Sequence, residues 1–472
     1  MIASYLAMLA TLAAPASDVR PPNVVFILAD DLGYGDLGCQ GHPFARTPEI
    51  DRLAAQGTRF ERCYSAGITC SPARTGLMTG RFPARFSPRP DRAGFGDRPT
   101  VTAALHDAGY ATGHFGKWHI GPNTRPGTYG IDRIEEIGGA RRDDRGRDAP
   151  IFDQAIAFIE QNRNKPFYVN IWGHISHNPV DAPDGFADRF RETRLEPERF
   201  PKPMQHKLAE RIAEHGFERT EEGLREYLGE LAALDAQVGR VLERLEQLGL
   251  AENTIVVFSS DQGAVGAGSA GVIGEADGED DTHPNALGSN GALRGGKHTQ
   301  FEGGVRVPFL IRWPGRIPAG RVDRGSIIAG VDWFPSVCKV AGIAAPADLD
   351  GEDVSDIWLG KERPRSRPLF WKTAAANSRA SMLDGRWKFH QQRRGASGTL
   401  HDLDIDPLEA IDRADGESEL ARRLGEAARA WTATLPKPAV EPPPAGDARA
   451  LERARKRERK KLEKSAPTAP RP

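Results

Sequence analysis

The residues best placed to do chemistry fall into two groups. Asp30 and Asp31 follow directly on the apolar run 24–28, and Asp261 follows the run 254–258. Such runs, ended abruptly by polar residues, predict buried parallel strands whose carboxyl ends deliver side chains to one sheet edge. Three hard carboxylates at one edge repel one another unless a cation joins them, and all-oxygen ligation favours calcium or magnesium over zinc. The flexible shell of calcium accommodates Gln262 and a substrate oxygen together, so one calcium ion per chain is expected. For a lone aspartate pair helix capping is the commoner explanation, a reading that loses force once Asp261 joins it. The second group is Cys70-Ser71-Pro72-Ala73-Arg74. Pro72 suits the first turn of a helix, so a nucleophile at Cys70 sits at a helix N-terminus, where unpaired amides and the dipole favour anionic oxygen.

The elements that must position these groups are legible in outline. A third apolar run, 167–172, precedes His174 and His177, and in open α/β sheets the carboxyl edge of the strands is where ligands bind. Between the runs, Leu224, Tyr227, Leu228, Leu231, Leu234, Val238, Val241, Leu242, Leu245 and Leu248 form one helical stripe that Gly249 closes. Residues 262–300 carry Gly, Ser, Asn and Asp without a period and predict a long loop, within which the acidic stretch 275–281 reads as solvated. Candidate strands at 369–372 and 386–390 and a helix at 418–433 predict a small antiparallel sheet plus helix. The expected organisation is a signal peptide over 1–16, a catalytic α/β domain over 17–365 and a small α+β subdomain over 366–435. A Pro-rich linker and basic tail then occupy 436–472.

Composition narrows the class. The 472 residues include 64 Lys and Arg against 65 Asp and Glu, a balance that gives no reason to expect a nucleic acid or a membrane surface as partner. Residues 449–464 alone carry a local basic excess, read as a solvated tail. No apolar stretch has the length of a membrane span, and the short run before Ala14-Pro15-Ala16 reads as an export signal, which implies a periplasmic or secreted protein. Four cysteines are too few for a disulfide scaffold; Cys39 and Cys63 are free to pair in an oxidising compartment, and Cys338 reads as a buried small hydrophobe.

The pattern Cys-x-Pro-x-Arg, followed by Leu77-Met78-Thr79-Gly80-Arg81, resembles the sulfatase family. The likeness continues through Gly109-Tyr110-Ala111-Thr112 and Gly116-Lys117-Trp118-His119, similar to that family's second signature. Asn23 to Asp31 with Gly33-Tyr34-Gly35-Asp36 is similar to its opening strand, and Asp261-Gln262-Gly263 to its later metal-binding turn. Gln262 departs from the more usual Asn, offering the same carbonyl oxygen on a longer stem. Lys297, His177-Asn178-Pro179 and the ending Leu400-His401-Asp402-Leu403 complete a likeness running from Asn23 to about Asp415.

The resemblance implies an alkaline phosphatase-like fold: a large mixed, mostly parallel sheet flanked by helices, with the small C-terminal sheet and helix appended. It implies that Cys70 is oxidised to formylglycine by a formylglycine-generating enzyme, and that the metal is held by Asp30, Asp31, Asp261, Gln262 and the group at position 70. A metal-activated hydroxyl of the aldehyde hydrate attacks sulfur, and the second hydroxyl expels sulfate by restoring the aldehyde, a route closed to an ordinary Ser or thiol. Arg74 and Lys117 hold the diol, His119 orients or deprotonates it, and His177 and Lys297 bind the sulfate, one of these two protonating the leaving oxygen. His174, His114 and His298 read as structural or peripheral. The expected substrate is a sulfated carbohydrate or other sulfate ester. Two alternatives stand: a phosphonate or phosphodiester hydrolase on the same architecture, and a non-catalytic protein that binds sulfated glycans.

Overall fold

A computed structural model describes residues 20–138, 143–267, 283, 286–373, 379–392 and 398–437. The expected signal segment, the acidic stretch 275–281 and the basic tail lie outside the described residues. The larger sheet contains β1 (Asn23–Ala29), β2 (Thr58–Tyr64), β3 (Ala111–Gly116), β4 (Arg133–Glu135), β5 (Phe167–Trp172), β6 (Thr254–Ser260), β7 (Arg306–Arg312), β8 (Arg321–Asp323) and β9 (Ile328–Ala329). Their order is β4-β3-β5-β1-β6-β7-β2-β8, with β9 beside β2. β4 through β6 in that order run parallel, whereas β7 is antiparallel to both its neighbours. This is the mixed, mostly parallel sheet of the alkaline phosphatase-like fold.

Alternation along β1 shows why its sequence reads as an unbroken apolar run. Val25, Ile27 and Ala29 enter the core on one face, and Val24, Phe26 and Leu28 enter the core on the other. Both faces are covered by helices, so neither set of alternate residues meets water. The helix Phe217–Gln247 packs on the first face; its stripe from Leu224 to Leu245 is buried, and Gly249, at φ 68°, lets the chain turn back after it.

A second sheet, antiparallel in the order β10 (Leu369–Trp371), β11 (Ser381–Asp384), β12 (Trp387–Gln391), β13 (Gly398–Asp402), carries the helix Ser418–Ala433. The sequence indicated β10, β12 and the helix but not β11 or β13. β11 is four residues long and β13 contains His401 and Asp402, so neither presents a sustained apolar pattern. Phe370, Met382, Leu400 and Trp431 of this unit pack with Tyr64, Ala66 and Phe82 into one apolar cluster. All four cysteines are free, so Cys39 and Cys63 are not bridged, and Cys338 is buried.

Candidate active site

Four neighbouring parallel strands, β3, β5, β1 and β6, end side by side, and their carboxyl ends converge on one place. β1 leads into Asp30 and Asp31, β6 into Asp261 and Gln262, β3 into Lys117, and β5 into the turn bearing His177. The strand ends are knitted together: Asp261 N–H donates to Ala29 O at 3.2 Å, Lys117 N–H to Trp172 O at 2.8 Å, and Asp30 N–H to Ile175 O at 2.9 Å. Asp31 stands at φ 61°, a conformation non-glycine residues keep only when their surroundings hold it. Here the hold is the Asp31 amide donating to Asp261 Oδ1 at 3.1 Å.

Cys70 is the first residue of the helix Cys70–Thr79, as its Pro72 suggested. Its Sγ lies 3.3 Å from Asp30 Oδ1, 3.2 Å from Gln262 Nε2 and 3.6 Å from Lys117 Nζ. Arg74, one turn on and fully buried, reaches Asp261 Oδ2 at 2.8 Å and Asp30 Oδ1 at 3.3 Å, donates to Lys117 O, and lies 5.1 Å above the Trp172 ring. Burial, reinforced by the Asp30 charge, pushes the Cys70 thiol well above its ordinary range. The surrounding protein groups thus favour the protonated thiol of an unmodified Cys70, the opposite of the bias that activates cysteine nucleophiles.

The remaining sulfate-site candidates stand opposite. Lys297 Nζ is 2.8 Å from Asp31 Oδ2 and 3.5 Å from His177 Nε2. His177 Nδ1 lies 2.7 Å from Asn178 O, which assigns the N–H to Nδ1 and leaves Nε2 facing Lys297 and Asp31. His119 follows Lys117 by two residues, half-buried at φ 56°. The other histidines sit apart in role: His174 Nε2 meets Ile137 O, and His114 is enclosed between Trp118 and Trp172, where burial pulls its pKa down to about 3.

Whether these residues suit a cation can be judged from their chemistry. One ligand atom each from Asp30, Asp31, Cys70 and Asp261 lies within 4.8 Å of all the others. Burial together with the Asp30 charge drives the Asp261 carboxyl up to about 7 despite Arg74, a mark of crowded negative charge. For Asp30 burial acts the same way, yet Lys117, His177 and Arg74 hold it well below the carboxylate range. Gln262 donates from Nε2 to Asp31, and its Oε1 is buried without a hydrogen-bond partner. The two ends of an amide are nearly isosteric, so the turned-over amide presents an oxygen toward Asp31, and a cation is what joins two such oxygens. The three carboxylates balance Arg74, Lys117 and Lys297; an added divalent ion gives the site a net charge of about +2, matched to a sulfate ester and its dianionic product. The residues fit the metal.

A family model described as Sulfatase matches residues 22–343, and one described as N-sulphoglucosamine sulphohydrolase, C-terminal, matches 296–424. The chain belongs to the sulfatase family. This sulfatase is 32% identical over 409 residues to N-acetylgalactosamine-6-sulfatase of Canis lupus familiaris, covering 75% of this chain and 68% of that protein. It is 32% identical over 457 residues to arylsulfatase A of Homo sapiens, with coverages of 85% and 80%. In fold it resembles Ps i-CgsB, solved in complex with k-i-k-neocarrahexaose, at TM-score 0.74 and 23% identity, covering 94% of this chain and 100% of that one. The chain is thus an enzyme of the sulfuric ester hydrolase class.

Several residues that shape the site of this sulfatase had not been singled out from the sequence. Arg147, buried, donates to His174 O at 2.8 Å, His177 O at 2.5 Å and Pro179 O at 2.6 Å, stapling the turn that presents His177. Glu230, from the long helix, pairs with Arg147 at 3.2 Å and accepts from Asp181 N–H. Asp148 receives the amides of His174 and Ile175. Asp36, already marked by the motif Gly33-Tyr34-Gly35-Asp36, gathers Gly33 N–H, Ser289 N–H and Tyr227 O–H, and Tyr227 O–H also lies 3.0 Å from Ser176 Oγ. Lys207, nearly fully buried, donates to Val265 O and Gly288 O on the two flanks of the long loop. For Glu230 a signal existed, a carboxylate set within an apolar helical face; Arg147 carries none.

Two results are expected from the Arg147–Glu230 pair. Arg147→Met lowers kcat by about tenfold or more, because misplacing a substrate-contacting group by a fraction of an ångström forfeits orientation; steady-state kinetics on an aryl sulfate reads this. Burial raises the Glu230 carboxyl to about 7 from 4.5, Arg147 only partly opposing it. A carboxyl raised in the folded state stabilises most below its unfolded pKa, so this contribution is full below about pH 4.5 and is lost as pH rises through 7. Urea unfolding of Glu230→Gln across that window should show a flatter pH dependence than the parent; an unchanged slope would contradict the assignment.

Proposed function

We propose that this sulfatase cleaves a sulfate ester of a carbohydrate, using formylglycine made from Cys70 by a formylglycine-generating enzyme and one calcium ion held by Asp30, Asp31, Asp261, Gln262 and the group at position 70. The observation that carries the reading is the setting of Cys70: a buried side chain at a helix N-terminus, its Sγ 3.3 Å from Asp30 Oδ1, 3.2 Å from Gln262 Nε2 and 3.6 Å from Lys117 Nζ, among three buried carboxylates and three cationic side chains. That setting suits a modified side chain bearing oxygen and serves a cysteine nucleophile poorly. The carbohydrate substrate is supported by the names of the relatives, one acting on N-acetylgalactosamine 6-sulfate and one solved with a neocarrahexaose. The apolar run before Ala14-Pro15-Ala16 supports a periplasmic or secreted location. Among the described residues no helix is long and apolar enough to cross a membrane.

Calcium and the hydrated aldehyde together would supply an activated oxygen nucleophile and, through the second hydroxyl, a means of releasing sulfate. This chain's own residues do the rest. Arg74 fixes Asp30 and Asp261 relative to each other, so the carboxylates keep their geometry as charge moves. Lys117, 3.6 Å from Cys70 Sγ and 2.6 Å from Asp30 Oδ2, stabilises negative charge at position 70. His119, two residues on, is assigned to orient or deprotonate the group there. Lys297 and His177 bind the sulfate oxygens across from them. Lys297 and His177, whose Nζ and Nε2 lie 3.5 Å apart, form the donor pair from which the leaving alcohol takes its proton.

The deciding experiment is mass spectrometry of the tryptic peptide containing residue 70, from protein produced with a formylglycine-generating enzyme, followed by turnover of aryl sulfate, phosphate and phosphonate. The expected peptide has lost one sulfur and two hydrogens and gained one oxygen, and aryl sulfate is the preferred substrate. Preference for the phosphonate would favour the phosphonate hydrolase reading. An unmodified thiol with glycan binding but no turnover would favour the binding protein. Exhaustive chelation should abolish turnover and lower the melting temperature, with calcium restoring both.

A further inference from the structure

The segment bearing Lys297 is held from two sides. Residues 294–305 close on themselves through Gly303 N–H donating to Arg294 O at 2.8 Å. On the catalytic side Lys297 N–H donates to Ala264 O and His298 N–H to Ile68 O, both at 2.9 Å. On the other side the C-terminal unit supplies several tethers, beside Tyr64 of β2, Arg306 of β7, 3.5 Å from Glu302 Oε2, and Ser65, whose N–H donates to Val305 O at 2.7 Å. Lys388 Nζ, on β12, meets Glu302 Oε1 at 2.7 Å, Glu302 N–H donates to Glu409 Oε2 at 2.7 Å, and Arg294 Nη1 donates to Glu409 O at 2.7 Å. Tyr64 O–H of β2 donates to Glu302 Oε2 at 2.9 Å.

Lys388, Glu302 and Glu409 are all fully buried. Burial alone would raise the Glu409 carboxyl, but the Lys388 charge and the His390 hydrogen bond bring it down to about 2, so it is ionised at working pH. A buried ionic network is a costly way to attach a subdomain, and the neighbouring apolar cluster of Tyr64, Ala66 and Phe82 with Phe370 and Met382 already docks this one. What directional charge pairs add is a fixed position. The position fixed here is that of Glu302, five residues from Lys297 along a chain tightened by Thr299 N–H to Gly296 O and Gly304 N–H to Phe301 O.

We propose that Lys388 is a positioning residue for Lys297: through Glu302, the C-terminal sheet sets where the Lys297 ammonium stands against Asp31 and His177. The inference rests on Lys297 being a sulfate-binding group. It makes the C-terminal unit a working part of the site, not only a cover for the larger sheet.

The test compares the parent, Lys388→Met, Lys297→Ala and the double variant, all carrying the modified residue 70, by aryl sulfate kinetics and by hydrogen exchange. Lys388→Met is expected to lower kcat/KM about tenfold, and to lower it less than about twofold further once Lys297 is already Ala, because residues acting as one unit are non-additive. Exchange of peptides spanning 294–305 should quicken in Lys388→Met while those of β1 and β6 stay unchanged. The proposal is overturned by unaltered exchange of 294–305, or by the same fold-loss in the Lys297→Ala background. Exchange needs no substrate, so an inactive parent would sink the sulfatase function while exchange still decides the role of Lys388. Should Lys388→Met fail to fold, Arg294→Ala removes an exposed tether to Glu409 and is read in the same way, with an expected loss of about threefold.

Discussion

Cys70→Ala is expected to fold and to lose sulfate-ester turnover by about 10⁴-fold or more, the scale on which removal of a covalent nucleophile acts. Three facts make the loss catalytic. The Sγ touches Asp30, Gln262 and Lys117 and no apolar side chain is needed to explain its place. The helix it begins is held further along by Thr75 and Thr79, whose hydroxyls donate to Ser71 O and Thr75 O, and by the buried Met78. Truncation there also leaves no buried charge unpaired, so the melting temperature should fall only by the equivalent of about 1 kcal/mol. Turnover, thermal unfolding and the mass of the residue-70 peptide, measured together, check the expectation. Residual activity within about tenfold of the parent would remove Cys70 from the mechanism.

Arg74→Met should produce the second large effect, and it should be dual. The guanidinium is fully buried between Asp30 and Asp261, and removing one partner of a buried ion pair costs roughly 3–5 kcal/mol because the other charge is left uncompensated. Asp261, already raised to about 7 by burial and by Asp30, then titrates still higher. Turnover falls by about 10²-fold or more as the carboxylates lose their fixed spacing. Calcium separates this from simple misfolding: a cation among the carboxylates replaces part of the lost positive charge, so calcium should raise the melting temperature of Arg74→Met more than that of the parent. Equal calcium shifts would argue against a cation bound among Asp30, Asp31 and Asp261.

The pattern of the site, more than its geometry, was legible in the chain. Apolar runs ending in Asp30–Asp31, in Asp261 and before His177 announced strand ends, because a strand buried on both faces has no polar alternation and must stop where polarity begins. Cys70, Pro72 and Arg74 announced a helix start with Arg74 one turn behind the nucleophile position, since helical periodicity is local. The long helix was visible for the same reason. Short strands such as β11 and β13 were not, because their pairing partners rather than their own residues define them.

What the sequence determined by itself was therefore the inventory: which side chains stand at strand ends and which begins a helix, with Lys297 added to them by the family resemblance alone. Tertiary structure alone decided the pairings. That Lys297 meets Asp31 across 266 positions, that Arg147 staples the His177 turn with Glu230 behind it, and that Lys388 reaches Glu302 from another sheet all depend on the strand order β3-β5-β1-β6 and on the docking of the C-terminal unit. Such contacts leave no periodic trace, because a buried charge is placed by what lies across from it in space, and no local spacing along the chain encodes that distance.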